Sequence, residues 1–311
     1  MAKIVTITNP LTGQPAQVDQ LDHTAQQIDD GLNIARGVSN PNLLDNWYFG
    51  NPVNQRGQTS YTGRGYTIDR WMNENDKVVS TLENGLLKLT FSGVSTYMQR
   101  VQVPSGIQVT CSVLVDNISG DLFLLWQDID DFTDTHTMQL SKGMNNITVT
   151  TTKQNYRFAI YSTNADPKTI GLKAAKIELG TQQTLAHQDS SGNWQLNELP
   201  NYAMELLKCQ RYQFSNITDS ADDGNSIGIA TTGLGTTELN VSIPFPVEMR
   251  TDQVVIEKIR IWNYRENGAW TQIAGNHFAK VSKNGVSYIM SDHVFQSGQL
   301  YGVQVFASCN L

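Results

Sequence analysis

The 311 residues predict a mainly β protein, with one short N-terminal helix followed by two β-sandwich domains in series. Three observations carry this. Short apolar runs with strand-like patterning fill 42–180 and again 212–311. Turn signals built on Gly, Asn and Pro separate the runs, at 83–85, 104–106, 117–120 and 142–143. The composition is rich in uncharged polar residues, with 39% of residues hydrophobic and only 16% charged, which suits an all-β protein with many turns and not a disordered chain.

Taken in order, residues 3–8 alternate as a short strand that Asn9 and Pro10 stop. A helix is predicted over 15–35. Val18, Leu21, Ala25, Ile28, Leu32 and Ala35 recur at heptad a/d spacing, with polar residues between, and Gly37 and Pro41 end the pattern. A seam this narrow suits association between helices of several chains better than docking on a broad core. Its shortness and Gly31 keep open an amphipathic helix lying on its own domain.

Strands are expected at 86–91, 108–115, 122–126, 147–151, 156–161 and 171–179, the spacing of a sandwich or barrel. Residues 181–200 are polar, with Asp189-Ser-Ser-Gly-Asn at 189–193, and read as an extended, protease-sensitive connector. A short helix is expected over 201–212. Beyond it the chain is again β-rich. Pro244 and Pro246 exclude a central strand around 243–250, and 301–306 reads as a core strand. The domains are thus 1–40, 41–180, a connector 181–204, and 205–311.

Composition excludes several classes of function. The net charge is −7, and the 22 Lys and Arg are scattered with no run of three, so nucleic-acid binding is not expected. Cys111, Cys209 and Cys309 are odd in number and widely spaced, which argues for buried thiols rather than disulfides or zinc. No segment approaches the ~18 apolar residues of a membrane span, and the first residues lack a signal peptide's apolar stretch.

Residues 42–57 read Asn-Leu-Leu-Asp-Asn-Trp-Tyr-Phe-Gly-Asn-Pro-Val-Asn-Gln-Arg-Gly, and 66–71 read Tyr-Thr-Ile-Asp-Arg-Trp. This resembles the opening of a jelly-roll domain in virion fibre and tail proteins of bacteriophages and prophages, where "NLLxNxxF" is followed by "NxRG" and "DRW". Residues 173–180, Lys-Ala-Ala-Lys-Ile-Glu-Leu-Gly, look like the closing "KLExG" strand of carbohydrate-binding-module jelly rolls. Residues 205–212 resemble the "LxxCQRY" segment that opens the C-terminal domain of the same virion proteins, and 243–250 resemble its "xPFPxxMR" segment.

The resemblance implies a jelly roll at 41–180 and a non-enzymatic virion subunit, a fibre or spike assembled in the host cytoplasm. It selects a homotrimer, attached to other virion proteins through 1–40 and meeting host-surface polysaccharide with its C-terminal domain. A passive head decoration or adaptor protein and a polysaccharide depolymerase are the alternatives.

No nucleophile elbow, HExxH or P-loop is present, and His23, His136, His187, His277 and His293 are dispersed, so no catalytic residue is assigned and no cofactor is expected. Asp128, Asp130, Asp131 and Asp134 form the one acidic cluster. They could supply oxygen ligands to calcium or form a solvated loop, and Trp126 stands beside them. Trp262, Tyr264, Arg265 and Trp270, interleaved with Asn263 and Asn267, are the expected glycan-stacking residues, with core packing the alternative. Trp47 and Trp71 are expected in the core.

Overall fold

The computed structural model describes residues 39–217, 229–232, 234–264 and 270–309. The strand expected at 3–8 and the seam Val18, Leu21, Ala25, Ile28, Leu32 and Ala35 lie outside the described residues.

Two six-stranded antiparallel sheets build the first domain. One runs Ser60–Tyr61, Val78–Glu83, Leu86–Phe91, Lys168–Leu179, Gln108–Ser119, Gly143–Thr150. The other runs Gly65–Tyr66, Met72–Asn73, Ser95–Gln102, Asn155–Ser162, Phe123–Asp128, Thr135–Gln139. Neighbours in space are not neighbours in sequence, so the chain crosses repeatedly between layers, as the jelly roll requires. The period of two decides what each strand buries: Tyr156, Phe158 and Ile160 point into the core, while Arg157, Ala159 and Tyr161 take the outer face. Strands Val78–Glu83, Ser95–Gln102 and Thr135–Gln139 are additional to those read from sequence. Ser95–Gln102 is buried on nearly every residue and lacks alternation, and Thr135–Gln139 is a largely exposed edge.

The opening motif is core and clamp together. Trp71 stacks on Tyr97 at 5.4 Å between ring centres and meets Phe49 edge-on at 5.3 Å. Its indole N–H donates to Asn46 O at 3.0 Å. Trp47 is buried too, as expected. Asn46 sits at φ 53, in the left-handed region that Asn tolerates. It receives Val53 N and donates to Val53 O and Asp69 O. Asn42 accepts from Ile177 N and donates to Ala175 O, which fastens the opening segment to the closing strand.

The connector is not extended. Ala186–Gln188 pairs with Trp194–Leu196 in a hairpin whose turn Asp189 holds by accepting from Ser191 N and Asn193 N, both at 2.9 Å. Leu185 and Ala186 join the first core, with Trp194 and Leu196 packed on it. Buried Lys176 and Glu178 of the closing strand tie the hairpin down: Glu178 accepts Thr184 N at 2.7 Å, and Lys176 donates to Thr184 Oγ1 at 2.9 Å. Residues 181–200 are thus a hairpin fastened to the first domain rather than an extended segment, with residues 190–193 of its turn exposed.

The helix Tyr202–Gln210 begins where Asn201 accepts Ala203 N and Met204 N. The second domain packs a sheet ordered Gln213–Ser215, Leu300–Ser308, Val255–Tyr264, Trp270–Ile273, with Ile229–Thr232 also on Leu300–Ser308, against Glu238–Pro244, Gly285–Ser291, His277–Ser282. Its own apolar core contains Leu239, Ile289, Phe295, Tyr301 and Val303. As expected, Glu238–Pro244 is an edge strand and 301–306 lies in a core strand.

The motifs of the two domains meet at one joint. Arg56 donates to Gln213 Oε1 at 2.7 Å, and Gln55 to Gln213 O at 3.1 Å. Glu205 accepts Asn46 N at 2.8 Å. Tyr212 carries Arg70 on its ring face and accepts Arg250 at its hydroxyl, 2.6 Å away. Arg250 also reaches Gln102. Burial lowers the Arg56 pKa against the attraction of Glu257 and Asp69, and it raises that of Asp69, against hydrogen bonds from Gln55.

Candidate functional site

Strand register arranges the outer face of the second sheet in three rows. Met72, Met98, Ala159, Leu125 and Thr137 stand opposite one another across five strands. On one side run Arg100, Arg157, Gln127 and Thr135; on the other run Thr96, Tyr161, Phe123 and Gln139. Met98, Leu125 and Ala159 form an apolar cluster of their own, separate from the core, with Met72 and Tyr161 packed against it. The central apolar row is covered, with Met98, Leu125 and Ala159 at most 4% exposed, so the face presents the flanking rows, aromatic on one side and charged and amide on the other.

Arg157 organises the polar side. Its NH1 donates to Glu74 Oε1 at 2.8 Å and its Nε to Gln127 Oε1 at 2.9 Å. Gln127 passes the chain on to Thr135 Oγ1 at 2.9 Å, and Glu74 accepts Thr96 Oγ1 at 2.7 Å. Planar groups are thereby fixed across this face, with the unused N–H groups of Arg157 and Gln127 left for ligand hydroxyls.

The acidic loop ends this face. Asp128 is fully buried. Its Oδ1 accepts the backbone N–H groups of Asp130, Asp131 and Phe132, and its Oδ2 accepts Asp134 N at 2.7 Å. Phe132 is thereby held at φ 61 with 56% of its surface exposed, its ring 5.6 Å from the Arg157 guanidinium. A bulky residue in the left-handed region is a local strain that the surrounding bonds must outweigh. An apolar ring held out to solvent in this way is what a stacking platform needs.

The four carboxylates do not converge on a common point. Asp131 turns to Lys153 at 2.7 Å and Thr133, and the Lys153 bond first of all lowers its pKa. Burial pushes the Asp134 carboxyl up, but bonds from Thr152, Tyr156 and His136 outweigh this and hold it at about 2. Among the described residues no group of three or more His, Cys, Asp or Glu is placed to hold a metal ion. The loop of Asp128, Asp130, Asp131 and Asp134 is built on Asp128, whose lone pairs accept backbone N–H groups. Trp126 is fully buried and stacks on Tyr156 at 4.4 Å, so it is core rather than surface.

The expected C-terminal cluster is only partly brought together. Tyr264 and Trp270 stand opposite each other in the pairing of Val255–Tyr264 with Trp270–Ile273, and Tyr264 is 38% exposed. Trp262 is 9% exposed and its indole N–H donates to Gln304 Oε1 at 3.2 Å. That corrects its expected role, since a ring closed in the sheet offers no face to a sugar. Arg265 and the side chain of Trp270 lie outside the described residues. Among the described residues no histidine bonds both a carboxylate and a hydroxyl or thiol: His136 meets Asp134, and His277 meets Ser291.

Arg157, Gln127, Tyr161, Phe123 and Phe132 are absent from the residues picked by sequence. One signal was available: Arg157 stands between Tyr156 and Phe158, so alternation alone turns it outward.

No protein-family model matches the chain, and no curated protein matches it. Solved structures of carbohydrate-binding modules are similar over about two fifths of the chain. A CBM4 module aligns at 13% identity and TM-score 0.28 over 40% of this chain and 96% of its own. TmCBM61, solved in complex with β-1,4-galactotriose, aligns at 11% identity and TM-score 0.26 over 45% of this chain and 99% of its own. A family 29 module in mutant form gives 9% identity and TM-score 0.29 over 39% and 89%. Likeness at this level assigns no activity.

Proposed function

We propose that this protein is a non-enzymatic virion subunit that recognises polysaccharide on the host surface through its jelly roll. The carrying observation is the outer face of the second sheet, where exposed Phe132 stands beside the half-buried guanidinium of Arg157. Sugars present apolar C–H faces to rings and hydroxyls to planar polar groups, and this face offers both side by side. The virion role is supported by the motifs at 42–57, 66–71, 205–212 and 243–250, whose residues Asn46, Arg56, Arg70, Tyr212 and Arg250 form the joint between domains. In this reading residues 1–40 attach the subunit to the particle, and the seam from Val18 to Ala35 holds three chains together. Tyr264 and Trp270 mark a second contact on the C-terminal domain.

The test is binding of the full chain to host cells and to isolated cell-wall polysaccharide. Phe132→Ala and Arg157→Ala are each expected to weaken binding about tenfold, the equivalent of ~1.4 kcal/mol, with melting temperature within a few degrees of the parent. Unchanged binding by both moves recognition to the Tyr264 hairpin. No binding by the parent leaves a passive decoration role, and release of reducing ends would make the protein a depolymerase. Mass measurement of the chain with and without residues 1–40 checks the trimer, which truncation should dissociate.

A further inference from the structure

A cavity lies on the other sheet of the same sandwich. The connector hairpin does not lie flat on the first sheet. It leaves a groove of about 780 Å³, with Trp194 and Tyr48 among its walls and Leu114 from strand Gln108–Ser119. That volume falls in the range of small-ligand sites, about 300–1,000 Å³.

The groove is shaped by specific residues. Trp194 packs over Gly143, where a Cβ would come within 2.9 Å of the indole nitrogen, so glycine at φ 97 is what admits the ring. The Trp194 N–H has no acceptor among the described residues, and the ring is only partly buried. Tyr48 is likewise partly exposed, positioned by its bridge to Ala174. Asn84, Asn117 and Gln195 line the groove as well. Asn117 donates to Asp116 Oδ2 at 3.2 Å and Gln195 to Asp189 Oδ2 at 3.0 Å, and each keeps its amide carbonyl as an acceptor. The two charges, Asp116 and Lys173, are paired with each other at 2.9 Å.

This chemistry selects a ligand class. An ionic ligand meets no net charge, because the groove's Asp116 and Lys173 neutralise each other. A purely apolar one would strip water from the open amide groups and return no hydrogen bonds. Hydroxyls both donate and accept, as carboxamides do, and sugar rings carry the C–H faces that Trp194 and Tyr48 can cover. We infer that the groove between the 186–196 hairpin and the first sheet is a binding site for a neutral oligosaccharide, independent of the Phe132 face. Two sites on opposite layers of one domain would let a subunit hold two strands of a polysaccharide, and the second contact would then form at high effective concentration.

The inference stands or falls separately from the site proposed above. Short neutral oligosaccharides and their uronic-acid counterparts are arrayed and probed with the full chain, and the best neutral binder is titrated by calorimetry. The parent and a Phe132→Ala/Arg157→Ala double variant should bind it alike, while Trp194→Ala weakens binding about tenfold or more. Asn117→Ala, which leaves the hairpin packing in place, should weaken it severalfold and serves if Trp194→Ala loosens the hairpin. Indole fluorescence should shift on binding in the parent and not in Trp194→Phe. Neutral-sugar binding that survives both Trp194→Ala and Asn117→Ala in folded protein overturns the groove site, as does a preference for the acidic counterparts. Loss in the double variant alone would leave the Phe132 face standing and this site refuted, and no retention of any oligosaccharide by the parent refutes both.

Discussion

The guanidinium of Arg70 lies 3.4 Å from the centre of the Tyr212 ring. The two residues come from the opening motifs of different domains, and the stack joins them. Arg70 stands at φ 72 and also pairs with Asp45 at 3.0 Å, so its backbone and its head group are both committed to this geometry. A motif residue that looks like part of one domain's first turn thus anchors the other domain.

Arg70→Gly should remove the stack without adding backbone strain, because glycine accepts a positive φ. The expected loss is about 1–3 kcal/mol, combining a desolvated cation–π contact with a carboxylate left unpaired. A double-mutant cycle with Tyr212→Ala, read by chemical denaturation, should give a coupling of ~0.5–2 kcal/mol. Additive losses would show that the contact holds nothing.

Asp128→Asn should loosen the 128–134 loop, because an amide nitrogen cannot accept the Asp134 N–H. The stability loss is expected at about 1–3 kcal/mol. Phe132→Gly should do the opposite, relieving a strained φ while removing the platform. Thermal melts paired with polysaccharide binding separate the two: both variants lose binding, and only Asp128→Asn loses stability.

Acid should weaken the first domain through Asp134. Its folded value of about 2 lies below the ordinary carboxylate value, so its contribution is complete above about pH 4 and is lost as pH falls toward about 2. The melting temperature of the parent should drop across that window. Asp134→Asn should start lower at neutral pH and show a flatter profile. Parallel profiles would remove Asp134 as the cause.

All three cysteines are free and buried, and burial raises the thiol pKa of Cys111 and Cys209. Native protein should therefore be almost inert to a thiol reagent at neutral pH, and denatured protein should react at Cys111, Cys209 and Cys309. Rapid native labelling of Cys209 would mean that the joint opens, since this residue lies in the helix that docks between the domains.

Local pattern decided which residues form strands and which face of each is apolar. Runs such as 86–91 and 156–161 carry their period within themselves, and Trp47 and Trp71 had no environment but a core to suit them. The short helix after 201 and the edge strand before Pro246 were legible for the same reason: caps and prolines act within a few residues. What pattern could not supply was pairing across distance. Arg70 and Tyr212 are far apart in sequence, as are Trp194 and Gly143. The polar stretch 181–200 reads as linker until Lys176 and Glu178 are seen holding it. The burial of Trp262 and the exposure of Phe132 were out of reach for the same reason. Sheet closure buried the first against Gln304, and the carboxylate of Asp128 turned the second outward. The sequence by itself determined a two-domain β architecture, because alternation and turn chemistry are local. Tertiary structure alone decided which aromatic rings face solvent and where the domains join, because burial depends on what the rest of the chain brings alongside.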